Sequence, residues 1–386
     1  MVVLGVILES NPFHNGHKYF IDKAIKEINP DYSISITSTS FSMRGEISLI
    51  NKFDKTNVLL NNNIDIVIEL PFSQTVQSAD YFCKSSILNL SKMGITDLAF
   101  GCETDDINLL NKFVFVISSN EFISKLREEK KFNTSLKDSY SSSLKYFLSE
   151  DEIEIFNKPN TTLAIQYLKT IKDYNLNIKP HIIKRINSDY HDKNITSSIA
   201  SATAIRESIL NNKEFKNTIS DEVFNCLIDI KETSKIYMDL LKYKYLVEKQ
   251  INNIFNDNEG INNYIVNNAN FTNLQYFQDS LKNKRYSVNR INRIALYTLL
   301  NINKIPNYTS YLRILGSNNK GLEYINKLPK KTKELIFATP KECKKLDVSI
   351  QETLNIELNS TKLYSVLTNN IDLINFENKL PILRKE

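Results

Sequence analysis

The 386-residue sequence predicts an α/β fold with a parallel sheet in its first half, followed by a mainly α-helical carboxyl-terminal region. Two observations support this prediction. Short apolar runs alternate with segments of helical periodicity as far as about Asn211, and beyond that residue the helical periodicity continues while strand signals become few. Such alternation favours a parallel sheet covered by helices on both faces, with ligands at the carboxyl ends of the strands.

Apolar runs in the first half predict the buried strands of this sheet. They cover residues 2–8, 32–37, 64–70, 97–101 and 180–185. Segments with apolar residues at helical spacing lie between or after them, at residues 20–28, 50–59, 79–90, from 106 onward, 163–174 and 201–210. We therefore expect each functional loop to follow the carboxyl end of a strand.

The second half carries helical periodicity at residues 221–249, 271–281 and 288–300, with Lys and Arg interleaved. The polar stretch Asn211-Asn212-Lys213 marks a boundary before these helices. We predict two domains, residues 1–211 and residues 212–386, since the chain is longer than a usual single domain.

Composition limits the compartment and the partners. The formal net charge of +5 permits a nucleotide or RNA partner without indicating one. The 4 cysteines, Cys83, Cys102, Cys226 and Cys343, lack C-x-x-C spacing, so neither a zinc site nor a disulfide framework is indicated, and the cytoplasm is the expected location. The first apolar run is too short to span a membrane. We expect no membrane association and no required protein partner.

The segment from Asn11 to His17, Asn-Pro-Phe-His-Asn-Gly-His, joins the first predicted strand to the first predicted helix. Backbone N–H groups and the positive end of a helix dipole face such a turn, and Gly16 lets the backbone approach a ligand closely. The imidazoles of His14 and His17 add donors that can follow charge developing on a phosphate. The segment therefore predicts a nucleotide site. In the alternative, His14 only caps or packs locally and His17 is solvated.

Further segments lie at predicted strand ends or helix starts. Gly101 can lie against an adenine or ribose, or make a tight turn. Residues 159–163 form an ordinary helix entry by composition, with Asn160 or Thr161 as a good N-cap. Arg185 can clamp a triphosphate or be a solvated charge. Residues 201–206 begin a helix whose hydroxyl and N–H groups can hold a phosphate, or Ser201 can be only a cap. Locally the sequence leaves these alternatives open.

The H-x-G-H pattern resembles the signature of the nucleotidyltransferase superfamily. Its ordered combination with other motifs resembles the bacterial tRNA(Met) cytidine acetate ligase family. These motifs are S-x-x-F-x-x-R-G-E at 38–46, E-L-P-F at 69–72, F-G-x-E at 100–103, P-N at 159–160, K-R with Y-H-D at 184–192, and S-A-T-A-I-R at 201–206. Segments 259–261, 284–286, 311–316 and 320–321 are similar to carboxyl-terminal signatures of that family.

The resemblance implies a Rossmann-like nucleotidyltransferase domain in an ATP-dependent ligase that forms N4-acetylcytidine at the wobble position of elongator tRNA(Met). Acetate would attack the α-phosphate of ATP to give acetyl adenylate and pyrophosphate. The cytidine amine would then attack the acetyl carbonyl and release AMP. The implied partners are ATP, acetate and tRNA(Met). Mg2+ is expected with the phosphates, and the sequence shows no dedicated metal cage.

The resemblance also implies the site residues. His14 and His17 would be catalytic and would stabilise charge on the phosphates. Ser38, Arg44 and Glu46 would belong to a loop that contacts acetate or cytidine. The residues implied in ATP binding are Ile7, Leu8, Glu9, Asn11, Pro12, Phe13, His14, Asn15, Gly16, His17, Phe20, Gly101, Asn160, Arg185, Ser201, Thr203 and Arg206.

The loop at 38–46 departs from the family pattern. Where S-G-N-F-x-Q-R-G-E is expected, Thr39, Ser40 and Met43 replace a Gly, an Asn and a Gln. Cys102 stands where Ser is usual, and Thr161 replaces a common Asn. Because the anchor residues are retained, we expect ATP binding to persist, with altered contacts to acetate or cytidine.

Basic residues of the second half form two stretches that suit RNA. The resemblance implies tRNA binding by Lys282, Lys284, Arg285, Arg290, Arg293 and Arg313, with Lys327, Lys330, Lys331 and Lys333 as a second patch. From composition alone, a solvated helix face explains the same residues.

Two other functions stay open. A small-molecule adenylyltransferase of cofactor synthesis would use the same histidine turn, but would not need the long basic second half. A non-catalytic RNA-binding protein with a worn nucleotide site would explain the altered loop, but not the intact histidine pair. Acetate-dependent exchange of pyrophosphate into ATP distinguishes the three.

Overall fold

The computed structural model describes residues 1–132, 136–185, 198–308 and 310–384. Strands and helices alternate in the first part of the chain, as predicted. The first elements are β1 (Val3–Leu8), α1 (Asn15–Ile28), β2 (Tyr32–Ser38), α2 (Lys52–Asn61), β3 (Ile66–Leu70), α3 (Phe72–Thr75), α4 (Ala79–Lys92) and β4 (Asp97–Cys102). They are followed by α5 (Ile107–Ser118), α6 (Asn120–Glu129), α7 (Leu136–Leu144), α8 (Glu150–Phe156), α9 (Pro159–Asp173), β5 (Lys179–Lys184) and α10 (Ala202–Leu210).

The second part is mainly helical. A 3-10 turn at Lys216–Thr218 precedes α11 (Asp221–Asn225), α12 (Ile230–Lys242), a π-helical segment (Tyr243–Glu248), α13 (Ile261–Asn268), α14 (Leu274–Leu281) and α15 (Val288–Leu299). The remaining elements are β6 (Leu312–Asn318), α16 (Asn319–Lys327), α17 (Lys330–Lys333), β7 (Ile336–Phe337), α18 (Pro340–Cys343), α19 (Val348–Leu367), α20 (Asp372–Phe376) and β8 (Ile382–Arg384).

Polar side chains define where several helices begin. The Asn51 side chain accepts hydrogen bonds from the Phe53 and Asp54 N–H groups at the start of α2. Asp106 caps α5 and Ser201 caps α10 in the same way. An N-cap oxygen satisfies N–H groups that have no partner inside the helix.

The sheet has the strand order β5-β4-β1-β2-β3-β6-β7, and β8 pairs with β6. Strands β1 to β5 pair with one another in parallel, which confirms the predicted parallel α/β sheet. Strand β6 is antiparallel to β3 and parallel to β7 and β8. The carboxyl ends of the adjacent parallel strands β1 and β4 therefore open at the same edge of the sheet.

Three strands of this sheet come from the second half, which the sequence predicted to be mainly helical. Residue 211 marks the end of the α/β alternation, but the chain returns to the sheet at β6. Strand β6 has 7 residues, but it lies between helical segments and the other two strands of this half have only 2 and 3 residues, so no α/β alternation marks them in the sequence. The division into residues 1–211 and 212–386 stays a prediction.

Helices cover both faces of the sheet. Helices α1, α2 and α10 pack on the face that carries Leu4 and Val6, and α4, α5, α9 and α16 pack on the opposite face. The helices of the second half have their own core, which also takes in Phe41 and Phe72 from the first half. These two phenylalanines belong to the S-x-x-F and E-L-P-F motifs, so part of each motif joins the two halves.

Five charged side chains form a buried ion cluster at this junction. They are Lys52, Glu69, Arg313, Glu357 and Glu377. The Lys52 amine lies 2.7 Å from Glu69, 3.0 Å from Glu357 and 2.6 Å from Glu377. The Arg313 guanidinium lies 3.4 Å from Glu69 and 2.7 Å from Glu377. Burial without full compensation raises the pKa of Glu357 to about 7.

The cluster corrects one predicted role. Arg313 is 2% exposed, and its Nε also donates to the Ala338 carbonyl at 3.1 Å. Its guanidinium is therefore not available to a tRNA phosphate, and the prediction that Arg313 binds tRNA is wrong.

Within the described ranges, no helix has the length and apolar character needed to cross a membrane.

Candidate active site

A cleft with a volume of about 230 Å³ opens at the carboxyl ends of β1, β4 and β5. It brings together most of the residues that the sequence predicted for ATP binding and for the acetate or cytidine loop. These are Ile7, Leu8, Glu9, Asn11, His14, Gly16, His17, Phe20, Arg44, Glu46, Gly101, Asn160, Arg185, Ser201, Thr203 and Arg206. They come from six separate stretches of the sequence, at 7–20, 44–46, 101, 160, 185 and 201–206.

The other predicted residues support the cleft and do not line it. Phe13 is buried and stacks on His17, with ring centroids 5.5 Å apart. The Asn15 side chain donates to the carbonyls of Ser198 and Asn217, at 2.9 and 3.0 Å. The Ser38 hydroxyl donates to the Glu9 carbonyl, and Pro12 follows a cis peptide bond. Tyr190, His191 and Asp192 of the Y-H-D motif lie outside the described residues.

Further lining residues were not predicted. They are Ser10, Tyr19, Ser42, Phe82, Phe100, Leu163, Tyr167, Ile183, Lys184, Ile199, Ala200 and Ala202. Phe100, Ile183 and Lys184 lie at strand ends beside predicted residues, and this position is a signal that could have identified them. Phe82 and Tyr167 lie inside α4 and α9, where helical periodicity predicts only a buried face.

The two histidines of the first turn face each other at the start of α1. The Gly16 N–H donates to Nδ1 of His14 at 3.1 Å, and the His14 N–H donates to Nδ1 of His17 at 3.3 Å. The ring centroids are 3.8 Å apart. Because each Nδ1 accepts a hydrogen bond, each neutral ring carries its hydrogen on Nε2. His14 thus caps the helix, as the alternative interpretation expected, while both rings also line the cleft.

Burial keeps both histidines neutral near pH 7. Burial is the largest cause that lowers the pKa of His14 well below its usual value, followed by the charges of His17, Arg185 and Arg206. Burial, with Arg185 and Lys55, lowers the pKa of His17 to about 3. Neutral rings with a hydrogen on Nε2 can donate hydrogen bonds to phosphate oxygens without first binding a proton.

Gly16 is required by the position of the His14 ring. A Cβ atom at Gly16 would lie 2.9 Å from Cε1 and 3.0 Å from Nδ1 of His14. Any side chain here would push the ring away from the helix start. The glycine of the H-x-G-H pattern therefore holds the histidine pair in place, in addition to giving a ligand access to the backbone.

Two arginines give the cleft positive charge. The Arg206 side chain donates to the Asn11 carbonyl at 2.7 Å and lies 3.1 Å from the Glu46 carboxylate. Arg185 follows β5 and lines the same cleft. Together with the N-termini of α1 and α10, these guanidinium groups form a site that suits a polyphosphate.

Glu103 connects two of the sequence motifs. Its carboxylate accepts hydrogen bonds from the Asn160 N–H at 3.2 Å and the Asn160 side chain at 2.7 Å. It also accepts from the Thr161 N–H at 2.7 Å and the Thr161 hydroxyl at 2.9 Å. Glu103 thereby holds Asn160 at the edge of the cleft, and the hydroxyl of Thr161 fits the position where Asn is usual.

The altered loop at 38–46 packs against the helical half. Gly45 has a φ of +74°, and a Cβ atom there would lie 2.8 Å from the backbone nitrogen of Arg293. The Thr39 hydroxyl, which replaces the usual Gly, donates to Glu357 of the buried ion cluster at 3.2 Å. The Met43 N–H donates to Glu9 at 2.6 Å. The substituted residues therefore make contacts that place the loop beside the cleft.

The predicted tRNA-binding arginines are partly neutralised. Arg285 and Arg290 lie 3.3 and 3.1 Å from the Glu259 carboxylate, and both lie over the Tyr286 ring. Arg293 lies against the Met43 carbonyl. The predicted lysines are exposed: Lys282, Lys284, Lys327, Lys330, Lys331 and Lys333.

In the parts of the chain that the structure covers, no group of three or more His, Cys, Asp or Glu side chains could hold a metal ion.

A family model described as HIGH Nucleotidyl Transferase matches residues 1–378. Curated tRNA(Met) cytidine acetate ligases are similar over most of the chain. The Thermosipho africanus protein is 33% identical, with coverage of 88% of this chain and 85% of the relative. The Oceanobacillus iheyensis protein is 36% identical, with coverage of 83% and 85%.

Solved structures share the whole architecture. The crystal structure of apo Thermotoga maritima TmcAL has a TM-score of 0.87 and 27% identity, with coverage of 100% of both chains. The structure of the same protein bound with alpha-thio ATP has a TM-score of 0.84 and 25% identity, again over 100% of both chains. With these matches, the chain belongs to the tRNA(Met) cytidine acetate ligase family of HIGH nucleotidyl transferases.

Proposed function

We propose that this protein uses ATP to activate acetate and transfers the acetyl group to the wobble cytidine of elongator tRNA(Met). The observation that carries this proposal is the neutral histidine pair at the start of α1, which faces a cleft that also holds Arg185 and Arg206. The names of the curated relatives supply the acceptor and the acyl group. We also propose that the reaction takes place in the cytoplasm.

In the first step, an acetate oxygen attacks the α-phosphorus of ATP and pyrophosphate leaves. Negative charge grows on the phosphate oxygens in the transition state, where Nε2–H groups of His14 and His17 donate to them. Arg185 and Arg206 bind the β- and γ-phosphates, and the free N–H groups of the α10 start assist them. Acetate needs no base, because it is already ionised near pH 7.

In the second step, the cytidine N4 attacks the acetyl carbonyl, the bond to AMP breaks and AMP leaves. No acyl-enzyme is required, since the adenylate is itself the activated acyl group. The loop at 38–46 is the best-placed segment to contact the acyl group or the cytidine, because Arg44 and Glu46 line the cleft. Mg2+ would enter bound to the triphosphate, where it neutralises phosphate charge. The cleft carboxylates, Glu9 and Glu46, already bind Met43 and Arg206, so they do not form a cage for it.

The test is mass spectrometry of an elongator tRNA(Met) transcript after incubation with the protein, ATP, Mg2+ and isotopically labelled acetate. We expect labelled N4-acetylcytidine at the wobble base, and acetate-dependent exchange of pyrophosphate into ATP. Exchange that a different small-molecule acceptor supports, and acetate does not, would instead indicate a small-molecule adenylyltransferase. ATP binding with neither exchange nor label would indicate a non-catalytic binding protein.

Substitution of the histidines tests the observation behind the proposal. We expect His14→Asn with His17→Asn to slow the exchange by about 10²-fold or more, the usual cost of losing an oxyanion donor. His181→Asn is the matched control, since His181 lies on β5 and pairs with Asp97 at 2.7 Å, outside the cleft. An exchange rate in the double variant equal to that of the control would contradict the assigned role.

A further inference from the structure

Glu9 is a cleft carboxylate that the activation step does not use. It directly follows β1 and lines the cleft. One carboxylate oxygen accepts a hydrogen bond from the Met43 N–H at 2.6 Å, which fixes the side chain against the loop at 38–46. The Glu9 carbonyl accepts hydrogen bonds from Ser38 and from the Lys55 amine, at 3.1 and 2.9 Å. The residue is therefore held from both its backbone and its side chain.

Glu9 lies on the opposite side of β1 from two of the residues proposed to bind ATP. Its contacts are with β2, α2 and the loop, whereas Gly101 and Arg185 follow β4 and β5 on the other side of β1. Phe82 and Tyr167 line the same cleft as an apolar wall that suits a planar base. The carboxylate thus faces the side of the cleft where the loop predicted to contact acetate or cytidine lies.

The charges around Glu9 favour proton uptake. Burial, the largest cause, raises the pKa of Glu9, and the Glu46 charge raises it further. The Met43 N–H, Arg44 and Lys55 act in the opposite direction. The remaining titratable neighbours, Cys83 and Tyr167, are neutral near pH 7 because burial raises the pKa of each.

We propose that Glu9 is the catalytic base that takes the proton from the cytidine amine during acetyl transfer. This proposal rests on the proposed function. As N4 forms its bond to the acetyl carbon, one N–H bond breaks and its proton moves to the Glu9 carboxylate oxygen that does not accept from Met43. The N–H electron pair stays on N4, and the pair of the acetyl–oxygen bond leaves with AMP. Atoms and charge balance without a further reactant.

The variant Glu9→Gln tests this role, because a glutamine oxygen can still accept the Met43 hydrogen bond but the amide cannot take a proton. We expect acetyl transfer from labelled acetate to the tRNA(Met) transcript to fall by about 10²-fold or more in a single turnover. We expect acetate-dependent pyrophosphate exchange to fall far less. In the unchanged protein, the transfer rate should decrease as the pH falls through the pKa of Glu9, and in the variant this decrease should be absent.

Glu46→Gln is the matched control, because Glu46 is the second carboxylate of the cleft and pairs with Arg206. We expect this change to alter exchange and transfer together. Equal losses of exchange and transfer in Glu9→Gln, or undiminished transfer, would overturn the assignment of Glu9. If the unchanged protein shows no acetate-dependent exchange, the proposed function itself fails, which is a separate outcome.

Discussion

At the scale of single residues, the histidine pair combines two tasks in the same rings. The Nδ1 atoms of His14 and His17 accept backbone hydrogen bonds at the start of α1, and the Nε2 atoms remain for a ligand. The helix start therefore determines the tautomer and the orientation of both rings. Because a catalytic donor must be held in place before the charge develops, this capping contributes directly to the proposed activation step.

Gly16→Ala should impair activation without removing either histidine. The new Cβ atom would lie 2.9 Å from the His14 ring, so the ring must shift from its position at the helix start. We expect at least a tenfold slower acetate-dependent pyrophosphate exchange, measured with labelled pyrophosphate. The melting temperature should fall only slightly. An exchange rate like that of the unchanged protein would show that the His14 ring does not need a glycine at position 16.

Acid should destabilise the ligand-free protein through the same pair. Burial lowers the pKa of both histidines in the folded state, so the unfolded chain binds more protons below about pH 6.5. The free energy of unfolding is therefore unaffected by the pair above about pH 6.5. It decreases as the pH falls from there toward the lowered pKa values of the two histidines in the folded state. We expect a loss of about 1–2 kcal/mol per histidine between pH 7 and pH 5.

Urea unfolding of the unchanged protein and of the variant with His14→Asn and His17→Asn measures this effect. The variant should lose less stability over the same pH range. A pH dependence equal in the two proteins would show that the pair is not buried as described.

The sequence predicted the residues of this turn well, because they are contiguous and their roles follow from one strand end and one helix start. Phe82 and Tyr167 escaped prediction, since their place in the cleft depends on how α4 and α9 pack on the sheet. The family resemblance assigned Arg313 to tRNA, although a basic residue fits that role only when its side chain is exposed. Only the long-range contacts with Glu69 and Glu377 explain its burial.

At the scale of elements, the buried ion cluster joins segments that are far apart in the sequence. Lys52 is on α2, Glu69 on β3, Arg313 on β6 and Glu357 on α19. The E-L-P-F motif is part of this junction, because the Phe72 N–H donates to Glu357 at 2.6 Å. The E-L-P-F motif therefore helps to attach the second half of the chain to the sheet. The strands and helices of the first half were predictable from periodicity, but this attachment was not.

Lys52→Met should be strongly destabilising, because it leaves three buried carboxylates with Arg313 as their remaining cation in the cluster. We expect a loss of about 3–5 kcal/mol in the free energy of unfolding, measured by urea titration. Lys18→Met is the control, since the exposed Lys18 pairs with Asp22 one turn away and should contribute at most about 0.5 kcal/mol. A similar loss of unfolding free energy in both variants would show that the buried ion cluster contributes no more to stability than an exposed ion pair.

At the scale of the whole molecule, exposed lysines gather at the edge of the sheet beyond β6. They are Lys330, Lys331, Lys333, Lys341, Lys344 and Lys345. Among the residues that the structure covers, none of them forms an ion pair. Strand β7 pairs with the start of β6, which lies at the same end of the sheet as the cleft. Four strand spacings separate β7 from β1, or about 19 Å, which is close to the width of an RNA helix.

We expect these lysines to contribute more to tRNA affinity than Arg285 and Arg290, which already pair with Glu259. Two double variants are compared by filter binding at several salt concentrations. The lysine variant carries Lys330→Gln and Lys331→Gln, and the arginine variant carries Arg285→Gln and Arg290→Gln. The lysine variant should bind more weakly, and the slope of log affinity against log salt should fall by about 1–2. A larger effect of the arginine variant would favour the stripe first predicted from the sequence.

The return of the chain to the sheet at β6 also bears on its synthesis. The contact between Glu69 and Tyr311 spans 242 residues, so β3 leaves the ribosome long before its antiparallel neighbour exists. At roughly 5–20 residues per second, the β3 edge stays unpaired for about 10–50 s. An unpaired apolar edge strand invites pairing with other chains. We therefore expect ribosomes stalled before residue 312 to release chains that aggregate more readily than the full-length protein.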